Sequence, residues 1–517
     1  MSEGKITDLD EVTSFLGDYG LFQVLIMVVL SLSAVPCGYM GVIVVFVSDT
    51  PAHHCNVSVD SARIGADVEA TLQERNSWME ADSCSRYKLK ANWTETAGLS
   101  NETEQCADGW IYSTDRDTIV SEWDLVCDSA WKVPFSTSLF FVGVLIGSFI
   151  SGHLSDRFGR KPVFFFTMVL QTVTALIQAA SVSWVMFCIL NCLRGLGQIS
   201  NYITSLVLGS EMLSPSARVS FTLLGHSLGF GIGYALLPLF AYFMRGWRML
   251  LLAAAIPGFL FIPLWWVIPE SPRWLLQKGR VEEAELVIRK AAKWNRVPAP
   301  GVIFRAGECS ELMVYYHFLL FALNITISGV FIWMSVSMVF YGLSLNTSNL
   351  NGNIYLNCFL SAAIDLVAYV ATWFLVKRAP RPVLLFSTLM FCGIMLLVIK
   401  LVPEGLCVLA LLGKMGVAGA YCFIYVFFTE LIPTVVRNMG LGIASTAARS
   451  LIFLIPVPFI LFAGVYSKVL PYLIFGTVSI MAAVVSVLLP DTNNSKLPDL
   501  ISQAKPIRRY VCVWMCK

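Results

Sequence analysis

Charged residues stand at a defined spacing between long apolar runs of this chain. The segment Gly152 to Lys161 reads Gly-His-Leu-Ser-Asp-Arg-Phe-Gly-Arg-Lys, with Asp156, Arg157 and Arg160 as its charged core. Its glycines permit a tight turn, and an aspartate there can cap a helix or pair with an arginine. A partial copy, Lys377-Arg378-Ala379-Pro380-Arg381, occurs in the second half of the sequence. The plain interpretation is a basic turn between two membrane helices.

An acid followed seven residues later by an arginine occurs twice. The copies are Glu211 with Arg218 and Glu430 with Arg437, which are 219 residues apart. An ion pair at a helix end can break when two halves of a protein rock apart, and this shifts a two-state equilibrium. A static anchor is the alternative, but the equal spacing of both copies favours a gate. Repeated halves are typical of secondary transporters, which hold substrate between them.

Two charged residues lie inside apolar runs of the second half. Arg449 follows Ser445-Thr446-Ala447-Ala448, and Asp365 lies within the run 354–376. An ionisable residue inside a membrane span is a functional candidate by default. Arg449 suits a carboxylate, and Asp365 suits the cationic end of a substrate. Alternatively, Arg449 pairs with Asp365 or Glu430 for structural reasons alone.

Aromatic side chains in the apolar runs can surround a fixed cation through cation–π contacts. The candidates are Tyr202, Tyr234, Trp333, Phe340, Tyr341 and Tyr425. Any one of them, taken singly, is more often a helix-packing residue than part of a substrate cage. The predicted substrate site therefore combines Arg449 and Asp365 with members of this aromatic set.

The runs that carry these residues predict an all-α membrane protein. The 517-residue chain is 56% hydrophobic and 14% charged, with a mean hydropathy of +0.70, whereas about a quarter of the residues of a soluble domain are charged. Its net charge of +2 gives no support for nucleic-acid binding. A span needs about 20 apolar residues. Twelve spans are predicted, at 21–47, 135–153, 162–181, 183–209, 219–243, 248–268, 314–343, 354–376, 383–402, 404–428, 438–464 and 469–490.

The spans form two six-helix halves joined by polar segments. The first half comprises span 21–47 and the spans of 135–268, and the second half occupies 314–490. The polar segments are the N-terminus 1–20, a loop at 48–134, a central loop at 269–313 and a tail at 491–517. Within the central loop, acids precede bases from Val281 to Asn295, with Glu285 four residues before Arg289, which predicts an exposed helix. Basic residues concentrate on one side of the predicted spans, which places both termini in the cytosol.

The loop 48–134 differs in composition from the rest of the chain. It holds glycosylation sequons at Asn56, Asn92 and Asn101, and four cysteines, Cys55, Cys84, Cys106 and Cys127. An even number of cysteines beside sequons predicts an extracellular segment braced by two disulfides. Four cysteines allow three pairings, and the sequence does not choose among them.

No motif in the sequence predicts catalysis, a resident metal or an organic cofactor. The string HExxH is absent, and the five histidines are scattered. The segment Gly209 to Ser216 lacks the second glycine and the lysine that a phosphate-binding loop requires. We therefore expect no enzymatic activity.

Longer motifs resemble those of a known family. The run Gly152 to Lys161 resembles the signature of the major facilitator superfamily, in which paired charges such as Glu211/Arg218 and Glu430/Arg437 close a cytosolic gate. Segments that resemble solute carrier family 22 are Trp131–Pro134, Ser138–Gly143, Gly195–Tyr202 and Pro269–Leu275. Segments that resemble its organic cation/carnitine branch are Leu237–Phe243 and Tyr355–Ser361.

This resemblance implies a multi-pass carrier of the plasma membrane that works as a monomer by alternating access. It implies carnitine, other betaines and quaternary ammonium compounds as substrates, with Na⁺ as a candidate coupling ion. Asn201 and Tyr202 match positions near the ion in sodium-coupled members, and the carnitine branch keeps an arginine at the position of Arg449. Two alternatives stay open: an organic-anion or urate-type carrier of the same family, and a transport-inactive membrane scaffold or sensor.

Three places depart from the family pattern. Cys37 stands where the carnitine branch has an asparagine thought to help hold sodium, so the prediction of sodium coupling is weakened there. The region Glu308 to Phe331 does not match the family, lengthens span seven and suggests an alternative transcript. Pro456-Val457-Pro458 replaces the usual pattern within Ser450 to Phe462, which predicts a different kink in span eleven.

Overall fold

The structure is a computed structural model that describes a defined part of the chain. It covers residues 12–56, 80–89, 99–106, 109–113, 116–301, 303–304, 318–350, 352–376, 378–402, 405–431, 467 and 469–491. Arg437, Arg449, Asn92 and the predicted span 438–464 lie outside the described residues. Glu430 is placed only as a backbone position in the last turn of a helix, and Asn101 only as one in a strand.

The first half consists of long helices linked by short turns. The helices are α1 Leu21–Val42, α2 Val44–Val47, α3 Ile119–Glu122, α4 Lys132–Phe158, α5 Arg160–Ala179, α6 Trp184–Met212, α7 Pro215–Ser220, α8 Ser227–Phe243 and α9 Trp247–Ala255. A π-helical turn, Phe221–His226, connects α7 to α8, and a 3₁₀ stretch, Ile256–Trp266, continues α9. Pro257 and Pro263 explain the change of helix type after α9, because proline cannot donate the backbone bond of a regular α-helix.

The second half repeats this organisation after a polar connection. Two helices lie in the connection, α10 Pro272–Gln277 and α11 Val281–Asn295. The helices that follow are α12 Phe318–Leu345, α13 Ile354–Val376, α14 Arg381–Val398, α15 Leu406–Leu431 and α16 Leu470–Ser486. Nine helices of the described ranges are long and apolar enough to cross a membrane. The 29-residue α6 is more polar, because Asn191, Arg194, Gln198 and Asn201 lie on its buried face.

The central connection holds the start of the first span in place. Asn295, the last residue of α11, accepts a hydrogen bond from the backbone N–H of Phe22 at 2.9 Å. The same side chain donates to the Gln23 side chain at 2.7 Å and to the Leu16 carbonyl at 3.1 Å. We call the end of the bundle that carries these contacts and residues 156–161 the motif side, and the opposite end, which carries residues 48–134, the loop side.

Short antiparallel strands and two disulfides organise the loop side. Strand β1 His53–Cys55 pairs with β5 Trp110–Tyr112, and β3 Ser85–Leu89 lies between β2 Glu80–Asp82 and β4 Leu99–Gln105. The structure pairs Cys55 with Cys106 and Cys84 with Cys127, with Cα–Cα distances of 5.3 and 5.6 Å. His53 lies near the sulfurs of Cys84 and Cys127. Because those sulfurs are bonded to each other, they offer no thiolate to a metal.

The loop is also anchored to helix ends of the first half. Glu122 accepts a hydrogen bond from the Trp247 indole N–H at 2.7 Å and forms an ion pair with Arg248. Arg248 in turn donates to the carbonyls of Ala179 and Ser181, each at 2.8 Å. Arg248 is thus held at the loop side by a local acid and by helix-end carbonyls.

Removal of the Cys84–Cys127 disulfide is expected to destabilise the folded loop. This bond closes a segment of 43 residues, for which the loop-entropy model gives a contribution of about 4 kcal/mol. We expect Cys84→Ser and Cys127→Ser each to reduce the amount of folded protein at the cell surface, measured by surface biotinylation. The double variant should be no worse than either single one, and Cys192→Ser, at a free cysteine, is the matched control. An additive loss in the double variant would contradict this pairing.

Candidate functional site

An ion pair lies buried in the second half of the bundle. Asp365 of α13 and Lys414 of α15 approach to 3.1 Å, and their side chains are 0% and 2% exposed. Lys414 also donates to the Ser361 hydroxyl and, at 3.3 Å, to the Tyr234 hydroxyl. Its ammonium lies 4.4 Å from the centre of the Tyr234 ring. Low dielectric strengthens each of these contacts and makes an unpaired charge at this place costly.

Tyr234 brings the first half into this network. It lies on α8, is fully buried, and donates to the Ser361 hydroxyl at 3.1 Å and to the Ser344 carbonyl at 3.3 Å. The network therefore joins α8 to α12, α13 and α15 at the interface between the two halves. Sequence analysis selected Asp365 and Tyr234, and the structure brings the two together through Lys414.

Helix α13 presents Asp365 inward because of its residue pattern. Its buried residues are Asn357, Cys358, Ser361, Ala362, Asp365, Ala368, Tyr369, Thr372 and Val376, which recur at intervals of three and four. Its exposed residues are Leu356, Phe359, Leu360, Val367, Val370, Phe374 and Leu375. Small and polar side chains thus line the helix interface while large apolar ones face outward, as expected of a membrane helix that packs closely on its neighbours.

Aromatic rings from both halves form a cluster beside the ion pair. The Trp333 and Tyr425 rings lie 4.5 Å apart edge to face, and Phe340 stacks on Tyr421 at 4.4 Å. Tyr202 of α6 reaches this cluster through Tyr425 at 6.4 Å. Tyr341 joins it through Tyr421 at 6.1 Å. The Lys414 ammonium lies 5.8 Å from the Phe340 ring centre. We call these seven residues, with Lys414 included, the aromatic cluster.

The aromatic cluster has the chemistry of a cation site. Its described side chains are at most 8% exposed, and desolvated ring faces attract quaternary ammonium groups. The Trp333 indole N–H has no hydrogen-bond partner among the described residues, so a polar group of a bound molecule could accept a hydrogen bond from it. Lys414 is the described cation nearest these rings, and a carboxylate is its natural partner once Asp365 is displaced.

The two predicted ion-site residues lie at the junction of three helices. Asn201 of α6 donates to the Phe164 carbonyl of α5 at 3.1 Å, and its carbonyl oxygen accepts from the Cys37 thiol of α1 at 3.4 Å. Tyr202 packs on His226 with ring centres 4.2 Å apart. The cysteine that departs from the family pattern therefore touches Asn201 directly. A thiol is a weak donor, so the amide oxygen of Asn201 keeps capacity for a further partner.

On the motif side, Arg160 is the centre of a buried network. Its guanidinium donates to Glu211 at 3.1 and 3.2 Å, to Asp156 at 2.7 Å and to the Ser155 carbonyl at 2.8 Å. The Glu211 carboxylate also accepts from the Ser271 hydroxyl at 2.5 Å. The network therefore joins α4, α5 and α6 to the connection that follows α9.

Glu270 closes this network at the N-terminus of α5. Its carboxylate accepts from the backbone N–H of Arg160 at 3.0 Å and from that of Lys161 at 3.2 and 3.3 Å. Burial raises the pKa of the Glu270 carboxyl, and hydrogen bonds from the backbone N–H groups of Ser271, Lys161 and Arg160 oppose that shift. An acid at a helix N-terminus is favoured by the helix dipole and by the unpaired N–H groups there.

The second half repeats the geometry of this network. The backbone N–H of Arg381 donates to Asp491 at 3.2 Å, as that of Arg160 does to Glu270, and each partner lies 221 residues after its counterpart. The Arg381 guanidinium bonds the Val376 carbonyl five residues earlier, as that of Arg160 bonds Ser155. The eroded sequence motif at 377–381 has therefore kept its backbone role.

The charges within the acid-to-arginine motif of the first half do not contact each other. The described partners of Glu211 are Arg160 and Ser271, and Arg218 donates to the carbonyls of Ser210 and Leu213 at 2.7 and 3.1 Å. The structure thus pairs Glu211 with Arg160 of the adjacent helix end instead of the predicted Arg218, and the gating role of Glu211 and Arg218 stays a prediction. Arg157 lies outside the network, with its guanidinium over the exposed Phe158 ring at 5.4 Å.

Similarity to known proteins covers almost the whole chain. The model of the Sugar (and other) transporter family matches residues 84–501. Organic cation/carnitine transporter 2 of Rattus norvegicus is 45% identical over 524 residues, which cover 96% of this chain and 94% of that protein. The Homo sapiens transporter of the same name is 45% identical over 525 residues, with the same shares covered. The chain belongs to the organic cation/carnitine branch of solute carrier family 22.

Further relatives of this solute carrier agree with that assignment. Solute carrier family 22 member 4 of Mus musculus is 43% identical over 533 residues, covering 98% of this chain and 96% of that protein. Among solved structures, the proton:xylose symporter XylE bound to 6-bromo-6-deoxy-D-glucose aligns with a TM-score of 0.63 at 17% identity, over 94% of this chain and 99% of that one. The predicted major facilitator fold is confirmed, and the family is one of transporters, not enzymes.

Two residues of the site, Lys414 and Tyr421, and the buried charge of Arg194 escaped sequence analysis of this family 22 member. Lys414 and Arg194 are charges inside apolar helices, which is a signal that the sequence does contain. Tyr421 lies one helical turn before Tyr425, so it shares a face with a predicted cluster residue. Lys414 and Arg194 could have been found by applying to α6 and α15 the rule that selected Asp365, and Tyr421 by its spacing from Tyr425.

Proposed function

We propose that this chain is a plasma-membrane carrier that moves carnitine-like zwitterions and organic cations by alternating access. Its membership of solute carrier family 22 establishes a multi-pass membrane transporter, and the relatives named organic cation/carnitine transporter 2 support the substrate class. In this proposal the motif side and both termini face the cytosol and the loop side is extracellular. Asn56, Asn92 and Asn101 then carry glycans, and the carrier works as a monomer.

The observation that carries the proposal is the aromatic cluster between the halves. Rings from α6, α12 and α15 meet beside Lys414, so an ammonium group can lie among ring faces while a carboxylate lies near a cation. A zwitterion needs both environments a few ångströms apart, whereas an anion such as urate uses only the cationic part. Arg449, which lies outside the described residues, is a second proposed partner for the carboxylate.

Alternating access requires contacts between the halves that can separate. On the loop side, Tyr355 of α13 stacks on Phe46 of α2 with ring centres 5.6 Å apart, and it packs on Tyr242 at 5.7 Å. These contacts join the second half of the protein to the first half on the loop side. Opening toward the loop side must break them, and their apolar character keeps the cost of separation small compared with that of a buried ion pair.

Sodium is the proposed coupling ion, with Asn201 and Tyr202 near it. The support is that Asn201 directly precedes Tyr202, a member of the aromatic cluster, and that the Asn201 carbonyl oxygen has spare capacity. Cys37 supplies a thiol at a place where an oxygen would bind Na⁺ better. The proposal therefore includes weak coupling, and we expect that Cys37→Asn increases the sodium dependence of uptake.

Uptake measurements test the function directly. Cells that express the chain are incubated with labelled carnitine, tetraethylammonium or urate, in sodium or choline medium, and a glycosidase-induced size shift verifies mature surface protein. We expect uptake of carnitine and tetraethylammonium, with carnitine uptake reduced in choline. Urate uptake without carnitine uptake would favour the organic-anion alternative. Absence of uptake of all three with normal surface protein would favour the scaffold or sensor.

A further inference from the structure

Arg194 is a buried cation without an acidic partner. Four charged side chains are buried in the part of the chain that the structure describes: Arg160, Arg194, Asp365 and Lys414. Arg160 has Glu211 and Asp156, and Asp365 and Lys414 have each other. Arg194 is 2% exposed, and no described acid lies within ion-pair distance of it. An isolated charge in such a place is costly unless something compensates it.

The neighbours of Arg194 supply dipoles but no negative charge. Its Nη1 donates to the Met40 carbonyl at 2.8 Å and its Nη2 to the Asn191 side-chain oxygen at 2.6 Å. The guanidinium carbon lies 4.9 Å from the Phe140 ring centre. Asn191 is oriented by its own donation to the Ser136 carbonyl at 2.9 Å. The Nε of Arg194 is also buried, and it has no hydrogen-bond partner among the described residues.

The contact by which Arg194 holds α6 to α1 does not explain why this residue is positively charged. Gln198, one turn further along α6, donates to the Cys37 carbonyl of α1 at 3.0 Å and is equally buried. A neutral amide therefore ties α6 to α1 by the same kind of contact that Arg194 makes with Met40. A neutral side chain makes the same link at the neighbouring turn, so the link does not require a charge. The positive charge of Arg194 therefore calls for a negative partner that the described part of the chain does not provide.

Arg194 lies within reach of the aromatic cluster. Phe140, which contacts its guanidinium, packs on Phe141, and Phe141 packs on Tyr341 with ring centres 5.5 Å apart. Along α6, the eight residues from Arg194 to Tyr202 rise by about 12 Å. An ammonium lies up to about 6 Å from a ring centre and a carboxylate about 2.8 Å from its donor. Arg194 and the cluster residue Tyr202 thus lie about two turns apart on the same helix.

We propose that Arg194, through its free Nε and its unbalanced charge, binds an anion between α1, α4 and α6. The anion is either the carboxylate of a zwitterionic substrate, which rests on the function proposed above, or a chloride ion bound beside the substrate. Both offer a compact negative charge to the same guanidinium. In the first case Arg194 contributes to substrate selectivity. In the second case chloride contributes to transport of every substrate.

Uptake by Arg194 variants distinguishes the two sources. Carnitine and tetraethylammonium uptake are measured for the wild type, Arg194→Gln and Arg194→Lys, in chloride and in methanesulfonate medium, with Lys278→Gln as an exposed control for net charge. A carboxylate partner predicts that Arg194→Gln lowers the ratio of carnitine to tetraethylammonium uptake roughly tenfold or more, and Arg194→Lys less. A chloride partner predicts that methanesulfonate lowers wild-type uptake of both substrates and that Arg194→Gln no longer responds to chloride.

A second measurement covers a variant that does not reach the surface. Purified wild-type protein in detergent should unfold at a higher temperature with chloride than with methanesulfonate, or with carnitine than with tetraethylammonium, and Arg194→Lys should show a smaller shift. An unchanged uptake ratio together with no chloride response and no thermal shift would overturn the proposal. Failure of the wild type to transport either substrate would overturn the proposed function instead, and the thermal shift with chloride would still decide whether the anion site exists.

Discussion

Asp365→Asn is expected to lower the free energy of unfolding by about 3–5 kcal/mol, because it leaves Lys414 buried without a counter-ion. The partners of that lysine other than Asp365 are hydroxyl groups and ring faces, which do not balance a full charge. The same loss is expected for Lys414→Met, which leaves Asp365 unpaired. Thermal unfolding of purified protein in detergent, together with the amount at the cell surface, measures this effect.

The double variant Asp365→Asn/Lys414→Met tests whether the two charges stabilise each other. Since it removes both charges, we expect it to recover most of the stability lost in either single variant. The matched control is the exposed pair Arg280–Glu283 on α11, with side chains 49% and 51% exposed. Neutralising either member should cost about 0.2–1 kcal/mol. If the stability lost in the double variant equals the sum of the losses in the two single variants, other groups stabilise the two charges and the ion pair itself contributes nothing.

Uptake by the stable double variant would separate structure from function. If the ion pair has only a structural role, the double variant should recover carnitine uptake per surface molecule when it recovers stability. If Lys414 exchanges Asp365 for the substrate carboxylate, carnitine uptake should stay low while tetraethylammonium, which has no carboxylate, is still transported. The second result is the one that the position of Lys414 beside Phe340 and Tyr234 predicts.

The sequence located Asp365 and most of the aromatic residues of the site, but not Lys414, Tyr421 or the contacts among them. Asp365, Tyr234 and Trp333 could be selected because ionisable and aromatic residues in apolar runs are conspicuous. The partnership of Asp365 with Lys414 depends on the rotation of α13 and α15 about their axes, and a sequence without its packing does not define that rotation. For the same reason the sequence assigned Glu211 to Arg218 on its own chain segment, although Arg160 reaches it from the neighbouring helix end.

Repeats and family motifs predicted the fold better than local patterns predicted contacts. The Arg381–Asp491 contact repeats the Arg160–Glu270 contact 221 residues later. The sequence shows this repeat only as an eroded motif, because the shared feature is a backbone hydrogen bond to an acid and not a set of identical side chains. The disulfide pairing could not be chosen from the sequence, since spacing allows three arrangements. It depends on β1 and β5 meeting at His53–Cys55 and Trp110–Tyr112.

Arg160→Gln is expected to reduce the maximal rate of transport by roughly tenfold or more with little change in KM. The arginine is 2% exposed, and its removal leaves Glu211 with only the Ser271 hydroxyl as a described partner. Charge-assisted hydrogen bonds contribute about 1.5–3 kcal/mol each, and about 1.4 kcal/mol changes an equilibrium tenfold. Initial rates of carnitine uptake over a range of concentrations, normalised to surface protein, measure the effect.

The Arg160 network should affect the transport rate because it joins the first half to the connection between the halves. Glu211 contacts Ser271, and the Asp156 carbonyl accepts from the Trp274 indole at 3.0 Å, so the first half is tied to the connection that leads to the second half. When the halves rock, this connection must move relative to α4 and α6. Loss of Arg160 changes the balance between the two arrangements without touching the aromatic cluster, and for that reason KM should hardly change.

Arg157→Gln is the matched control for this prediction. It removes the same charge from the same motif, but Arg157 is exposed and contacts only the Phe158 ring in the described part of the chain. Its maximal rate should differ from that of the wild type by less than about twofold, in line with the small contribution of exposed charges. Arg381→Gln, at the repeated position, should resemble Arg160→Gln because it also stands between a helix end and an acid. Equal losses in Arg157→Gln and Arg160→Gln would show that the positive charge of the turn matters, rather than the buried network.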